Sequence, residues 1–336
     1  MKIARFIIVG ENIHCTRVYK VGGQFVQPGP DGKHQVAYKS GGQPCGLAVP
    51  DAFLRSADWA AGRLKHCAAA IWQGLYGDRA AGADYIQALA REQHQAGAAY
   101  LDINVDEFST DLAERIKAMQ WTVDLVQQAV PIPASIDSSN TQVLRAGLEA
   151  CDPKRGRPMV NSVSLERAEA IAAAAQFKAV VIASAAGEKD LPCTPEERLA
   201  NFERLMPRLR AAGLKDGDLH LDPLVFPIST DGGNGRRFLD TVAALRRTYG
   251  KKVHIIAGLS NVSFGMPGRK LINQVFSRLA VEAGADGGIV DPMQINARLL
   301  SALDTTSEGF RLARALLLGE DEFGMNFIAA SRDGRV

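Results

Sequence analysis

The sequence predicts an α/β protein, an eight-stranded parallel (β/α)8 TIM barrel with a hairpin-plus-helix insertion after strand 1. Short apolar runs alternate with amphipathic helical stretches, a pattern typical of a parallel sheet. There are eight such runs in the 336 residues, the number that closes a barrel. The loop after the first run, Gly10-Glu11-Asn12-Ile13, has no G-x-G-x-x-G. A doubly wound dinucleotide-binding sheet, the competing architecture, would need that motif there.

The strands and helices are predicted from these runs in order. The first strand is Arg5–Val9, a continuous apolar run typical of a strand covered on both faces. Seven further strand-like runs follow: Ala99–Asn104, Ile132–Asp137, Met159–Val163, Val180–Ser184, Leu219–Leu224, Val253–Gly258 and Gly287–Asp291. The predicted helices are Ala83–Ala96, Asp111–Ala129, Thr141–Ala150, Leu165–Phe177, Pro195–Ala212, Arg236–Tyr249, Lys270–Ala283 and Thr305–Leu317. Thr194 before Pro195 is a favourable helix start.

Residues 13–82 form an insertion that is longer than an ordinary βα loop. Within it, Arg17–Val26 and His34–Tyr38 flank a turn-rich stretch, which indicates a β-hairpin. Ala57–Leu75 is predicted to form an additional helix. No Pro/Ser linker or charge block divides the chain, so we expect a single domain spanning 1–336.

Composition excludes several classes of function. The net charge of +2 gives no indication of a polyanionic partner, so we expect no nucleic acid binding. The 5 cysteines are scattered and form no C-x-x-C, which argues against disulfides and structural zinc. Gly10 and Glu11 end the apolar run Met1–Val9, and no run of about twenty apolar residues occurs, so we expect a cytoplasmic protein without a membrane segment.

Polar residues cluster where the predicted strands end. They are mainly carboxylates and amides: Glu11, Asn12, Asp102, Asn104, Asp137, Asn140, Asn161, Ser184, Asp222, Asn261 and Asp291. No histidine accompanies these carboxylates in the prediction, so we expect no metal site. His14 and Cys15 are assigned packing or loop roles. Carboxylates and amides suit a heterocycle with N–H donors on one edge and acceptors on the other, as a pterin has.

A structural role is the alternative for each of these residues. A single Asp or Asn at a strand end is more often a helix N-cap than a ligand. Asp102 and Asp291 fit that description or could anchor buried loops. This structural explanation is weaker for Asp137, Asn161 and Asp222, because each lies at or within a residue of a predicted strand end. Helix caps alone do not account for so many polar groups at one end of the sheet.

The chain carries six motifs in order: L-D-I-N-V-D (101–106), S-I-D-S-S-N (135–140), N-S-V-S (161–164), L-D-P-L-V-F-P (221–227), G-L-S-N-V-S (258–263) and R-K-L-I-N (269–273). With the Gly-Glu pair at 10–11, they resemble the pterin-binding methyltransferases that act between methyltetrahydrofolate and a corrinoid protein. They also resemble the folate module of cobalamin-dependent methionine synthase. The resemblance covers nearly the whole chain, with the insertion as the main departure. It implies an eight-stranded βα barrel and a homodimer.

The resemblance also implies roles for individual residues. Asp137, Asn161 and Asp222 match positions that hold the pterin ring by its polar edges. Asn261 matches the amide that reaches the N5 region, where the methyl group lies, and is the predicted catalytic residue. The remaining predicted pterin-binding positions are Glu11, Asp102, Asn104, Ser260 and Arg269.

The implied substrates are tetrahydrofolate or 5-methyltetrahydrofolate and a corrinoid (cobalamin). A partner protein should carry the corrinoid, because the chain has no D-x-H-x-x-G stretch. Two alternatives stay open. Dihydropteroate synthase shares the barrel and pterin pocket, but it calls for Ser-Arg-Lys after the seventh strand, where this chain has Gly-Leu-Ser-Asn (258–261). A non-catalytic folate-binding protein would show pterin affinity without turnover.

Overall fold

A computed structural model describes residues 2–336. The strands, in chain order, are β1 (Ile7–His14), β2 (Val18–Lys20), β3 (Val26–Pro28), β4 (His34–Ser40), β5 (Gln43–Ala48), β6 (Arg63–Lys65), β7 (Tyr100–Asn104), β8 (Ala134–Asp137), β9 (Met159–Val163), β10 (Val180–Ser184), β11 (Leu219–Asp222), β12 (His254–Ile255) and β13 (Gly287–Val290). The α-helices are α1 (Asp51–Leu54), α2 (Ala57–Ala60), α3 (His66–Tyr76), α4 (Arg79–Gln95), α5 (Leu112–Ala129), α6 (Thr141–Ala150), α7 (Ala170–Gln176), α8 (Pro195–Ala211), α9 (Asn234–Tyr249), α10 (Arg269–Ala283), α11 (Ala297–Ser301), α12 (Glu308–Leu317) and α13 (Met325–Arg332).

Eight strands form one sheet in the order β12-β11-β10-β9-β8-β7-β1-β13. The strands run parallel in the pairs β7 with β8, β10 with β11 and β11 with β12. A parallel bridge between Gly258 and Ile289 joins the two ends of that order. Since a helix follows each strand, the predicted (β/α)8 barrel is confirmed.

Strand bounds differ from the prediction in two places that matter for function. β9 and β10 have the predicted bounds, but β1 continues to His14 instead of ending at Val9. The backbone N–H of Cys15 donates to the carbonyl of Asn104 at 2.8 Å, which holds the end of β1 beside β7. β12 is shorter than predicted, because the chain enters a 3-10 helix at Leu259–Ser263.

The insertion contains more strand than the predicted hairpin. β3, β4 and β5 form an antiparallel sheet, and β2 pairs with β6. The prediction of one helix over Ala57–Leu75 is wrong, because Gly62, with φ of 71°, turns the chain out of α2 before β6 and α3. The hydroxyls of Tyr38 and Ser40 donate to the carboxylate of Asp84 in α4 at 2.9 and 2.7 Å. These bonds attach the insertion to the helix that precedes β7.

The chain contains two compact units, which are described separately below. One is Gly10–Met159, in which α3 packs against α4 and α5 against α6. The other is Val160–Val336 with the segment that ends at Val9, and here α10 packs against α9 and α12. A single domain spanning 1–336 stays a prediction. Within residues 2–336, every helix is too short or too polar to cross a membrane.

Gly287 of β13 offers a test of how closely these strands pack. A Cβ at this position would overlap the carbonyl oxygen of Ile7. We expect Gly287→Ala to lower the free energy of unfolding by about 1–3 kcal/mol, as overpacking typically does. Urea denaturation measures the change. Gly217→Ala is the control, because a Cβ there meets no described atom within 4 Å; equal losses in the two variants would contradict the close packing.

Candidate functional site

Four polar side chains meet at the ends of β1, β7 and β8, within the unit Gly10–Met159. His14 Nε2 lies 2.9 Å from Asp102 Oδ2, and Asn104 Nδ2 donates to Asp137 Oδ2 at 2.9 Å. One nitrogen of His14 and one carboxylate oxygen each from Asp102 and Asp137 lie within 4.8 Å of one another. We call these three residues and Asn104 the carboxylate cluster. Within it, one hydrogen bond joins His14 to Asp102 and a second joins Asn104 to Asp137.

Charges in the carboxylate cluster are strongly perturbed. Burial and the charge of Asp102 raise the pKa of Asp137 to about 7, although His14 and the amide of Asn104 oppose the shift. For His14, burial alone lowers the pKa, but the hydrogen bond to Asp102 and the charges of Asp102, Asp137 and Glu11 raise it above its ordinary value. The cluster therefore combines a histidine whose pKa is raised with one carboxylate, Asp137, whose pKa lies near neutrality.

Asp106 supports the loop that follows β8. Its Oδ1 accepts a hydrogen bond from the Ser138 hydroxyl at 2.6 Å, and its Oδ2 accepts from both the backbone N–H and the hydroxyl of Ser139 at 2.7 Å. This clamp fixes the chain directly after Asp137. Asn140, which follows Ser139, is the N-cap of α6, and its side chain accepts hydrogen bonds from two backbone N–H groups. Asn140 therefore has the helix-capping role that was the alternative to ligand binding.

Glu11 and Asp291, two other predicted strand-end residues, contact their own loops. Glu11 Oε1 pairs with Arg17 Nη1 at 3.2 Å. Asp291 accepts from the backbone N–H of Met293 at 3.0 Å and from the side chain of Gln294 at 2.7 Å, so it anchors the loop after β13. Asp291 thus has the loop role that the alternative gave it.

In the unit that contains Val160–Val336, Asp222 is the last residue of β11. Its Oδ1 accepts from the backbone N–H of Leu224 at 2.8 Å, in a turn where Leu224 has φ of 65°. Burial raises the pKa of Asp222 to about 6, while the Leu224 N–H and the charge of Arg198 act in the opposite direction. Asn161, half-buried, lies in β9. Ser184 is the register partner of Asp222 in β10.

The predicted catalytic residue Asn261 lies on the 3-10 helix Leu259–Ser263, between β12 and α10. Asn261 is exposed, whereas Leu259 and Val262 are fully buried and anchor the loop. Arg269 donates from Nε to the Ser263 hydroxyl at 3.0 Å and from Nη2 to the Ser260 carbonyl at 3.1 Å. Arg269 therefore braces the loop that presents Asn261.

Three residues of the site were not predicted. His14 was assigned a packing or loop role because one His with one Cys is too few for a metal site. The expectation that no histidine accompanies the carboxylates is wrong, since β1 continues to His14 and His14 bonds to Asp102. Asp106 ends the motif L-D-I-N-V-D (101–106), but no role was predicted for it. Arg198 is completely buried, 3.4 Å from the Thr241 hydroxyl and over the ring of Phe226. A buried arginine in a helix cannot be distinguished from an exposed one by charge alone.

A (β/α)8 barrel with buried carboxylates and amides at the carboxyl ends of its strands defines an enzyme class that binds small polar molecules there. The pterin-binding enzyme family matches residues 77–291 of this chain. The chain belongs to that family.

Two of the similar proteins come from bacteria. The chain is 29% identical over 257 residues to the methylcorrinoid:tetrahydrofolate methyltransferase of Eubacterium limosum, covering 75% of this chain and 89% of that protein. It is 31% identical over 223 residues to the methionine synthase of Mycobacterium tuberculosis, covering 62% of this chain but 18% of that longer protein. A solved dihydropteroate synthetase with bound product superimposes with a TM-score of 0.50 at 19% identity, covering 70% of this chain and 88% of that one. At that identity the superposition shows the fold alone.

Removing the Asp106 clamp should destabilise the protein. We expect Asp106→Ala to lower the free energy of unfolding by about 1–3 kcal/mol, because three hydrogen bonds to the loop after β8 are lost. Asp31→Ala is the matched control, since its carboxylate accepts an exposed bond from the Lys33 N–H. Thermal unfolding of both variants checks the difference, and a loss no larger than that of the control would show that the clamp is dispensable.

Proposed function

We propose that this chain is a methyltransferase that moves a methyl group between N5 of (methyl)tetrahydrofolate and the cobalt of a corrinoid carried by a separate protein. Membership of the pterin-binding family supports the folate substrate. The name of the Eubacterium limosum relative supports the corrinoid as the second substrate. The observation that carries the proposal is the exposed Asn261 on a loop that is anchored by buried Leu259 and Val262 and braced by Arg269 through the Ser263 hydroxyl and the Ser260 carbonyl.

The pterin ring is proposed to bind through its polar edges. Ionised Asp137 and Asp222 would accept pairs of N–H bonds, and the amide of Asn161 would both donate and accept. Their partial burial supports this role, because hydrogen bonds to charged groups are strongest where water is excluded. Glu11, Asp102, Asn104 and Ser260 are proposed to support these contacts.

The difficult part of the reaction is breaking the bond between N5 and the methyl carbon. The electron pair of that bond stays on N5, which is a poor leaving group unless it also carries a proton. We propose that the Asn261 amide stabilises the protonated N5 while the Co(I) form of the corrinoid supplies the electron pair of the new bond to the methyl carbon and becomes methyl-Co(III). The same contact serves the reverse transfer, since the protonated N5 is then the product that must be deprotonated.

Dihydropteroate synthase is the alternative enzyme, and the loop after β12 argues against it. That activity calls for cations that bind a diphosphate. Here Arg269 donates to Ser263 and Ser260 of its own loop, and an asparagine occupies the exposed position. A non-catalytic folate-binding protein would bind pterin without turnover, which the assay below distinguishes.

The remaining proposals concern assembly. The corrinoid is proposed to arrive on a partner protein, and the chain is proposed to form a homodimer in the cytoplasm. Equal turnover with free and with protein-carried cobalamin would argue against a dedicated partner. Sedimentation equilibrium of the purified chain tests the homodimer.

Asn261→Ala should separate catalysis from binding. We expect turnover to fall about 100-fold, as loss of one well-placed hydrogen-bond donor does, while the Kd for 5-methyltetrahydrofolate changes by less than about threefold. An anaerobic assay with methylcobalamin and tetrahydrofolate measures turnover in both directions from the corrinoid absorbance, and calorimetry measures binding.

The matched control for this test is Asn326→Ala, which removes from α13 an exposed amide that donates to Asp321 at 3.0 Å, outside the loop of Asn261. It should leave both turnover and affinity unchanged. Equal losses of turnover and affinity in Asn261→Ala would remove the catalytic role of Asn261. Pterin binding by the wild-type protein with no methyl transfer in either direction would favour the non-catalytic alternative.

A further inference from the structure

We propose that His14 is a positioning residue that acts through Asp102 and Asp137: its positive charge keeps Asp137 ionised, and so available to a pterin, at neutral pH. The inference rests on the proposed function, which takes Asp137 as a contact of the pterin ring. It adds a specific task for a residue that lies outside the motifs of the family resemblance.

The contact between His14 and Asp102 is built into the barrel strands. His14 ends β1, and Asp102 lies in the middle of β7. Their Nε2 and Oδ2 atoms are 2.9 Å apart, with the His14 side chain 14% exposed and that of Asp102 0% exposed. The backbone bond from Cys15 to Asn104 fixes the two strands at this point. The imidazole is therefore held in place by both main chain and side chain.

Asp137 lies within electrostatic range of both His14 and Asp102. One nitrogen of His14 and one carboxylate oxygen each of Asp102 and Asp137 lie within 4.8 Å of one another. Two carboxylates at this separation resist ionising together, and a cation between them relieves the repulsion. His14 is the cation of the cluster, because the neighbouring guanidinium of Arg17 pairs with Glu11 at 3.2 Å.

The other polar groups that face Asp137 do not replace this charge. Asn104 donates a neutral hydrogen bond to Asp137 at 2.9 Å. Asp106, on the loop after β7, is negative, and so its charge opposes ionisation of Asp137. Glu11 is also negative and acts on His14. Removing His14 would leave Asp137 among carboxylates and one amide.

The consequence concerns the form of Asp137 that a ligand requires. Pterin N–H groups are donors, and a protonated carboxyl loses part of its capacity to accept them. Because the pKa of Asp137 is about 7, affinity for the pterin should fall as the pH drops below neutrality. Without the positive charge of His14 that pKa rises further, and the same fall occurs at higher pH.

A purely structural role for His14 makes a different prediction. Loss of a brace would weaken pterin binding by the same factor at every pH. Loss of a charge would weaken it at low pH and leave it nearly unchanged at high pH. The pH profile of affinity therefore distinguishes the two roles. Removing the negative charge of Asp102 should shift that profile in the opposite direction.

The experiment is anaerobic calorimetry of tetrahydrofolate binding between pH 5.5 and 9 with the full chain. For His14→Gln we expect the midpoint of the affinity profile to rise by about one pH unit, the lower end of the effect of a neighbouring opposite charge. That shift corresponds to about fivefold weaker binding at pH 7, tenfold at pH 6 and a change within about twofold at pH 9. Asp102→Asn should move the midpoint downward, because the charge of Asp102 raises the pKa of Asp137.

The control is His254→Gln, which removes a histidine that pairs with Asp286 at 3.8 Å in the other compact unit. Its midpoint should match the wild type. A His14→Gln profile parallel to that of the wild type would overturn the inference, as would an Asp102→Asn midpoint equal to that of the wild type, because Asp137 would then not respond to the charges of the cluster. If His14→Gln fails to fold, His14→Asn removes the same charge and its profile decides the question. Failure of the proposed function looks different: the wild-type protein would then bind no tetrahydrofolate at any pH.

Discussion

Burial of negative charge at the carboxyl ends of parallel strands is the constraint on which the rest of this structure depends. A carboxylate removed from water is costly unless a counter-charge or hydrogen bonds compensate. In the carboxylate cluster, His14 compensates Asp102 at 2.9 Å and Asn104 compensates Asp137 at 2.9 Å. The compensation is incomplete, since the pKa of Asp137 remains at about 7. A site of this kind gains from a ligand that brings N–H donors, because such a ligand supplies the missing hydrogen bonds.

In the second compact unit, different groups compensate the buried carboxylate. Among residues 2–336, no histidine bonds to Asp222; instead, the N–H of Leu224 and the buried charge of Arg198 act on it. Leu224 adopts a left-handed backbone conformation to bring its N–H there, a geometry that costs free energy in a non-glycine residue. Asn261 differs from both carboxylates because it is exposed, on a loop held by Arg269. This difference fits the two tasks proposed for them, ring binding by the carboxylates and contact of the amide with the reacting atom.

Agreement between sequence and structure is closest where the deciding pattern is local. The buried runs of β9 and β10 have the predicted bounds, because a continuous apolar run between turn residues specifies a strand covered on both faces. The helix predicted over Ala57–Leu75 failed for a local reason too: Gly62 takes a left-handed conformation and ends α2. Alternation of strand and helix survives such errors, so the barrel did not depend on them.

The sequence by itself determined the barrel, the family, and the carboxylates and amides at the strand ends. These features depend on periodicity, turn residues and motif order, which are properties of the linear chain. Only the tertiary structure decided which of those groups bond to one another. His14 joins Asp102 because β1 continues five residues beyond its predicted end and pairs with β7, some ninety residues later in the chain. Register between strands so far apart in sequence is set by packing of the whole sheet, and no local pattern encodes it.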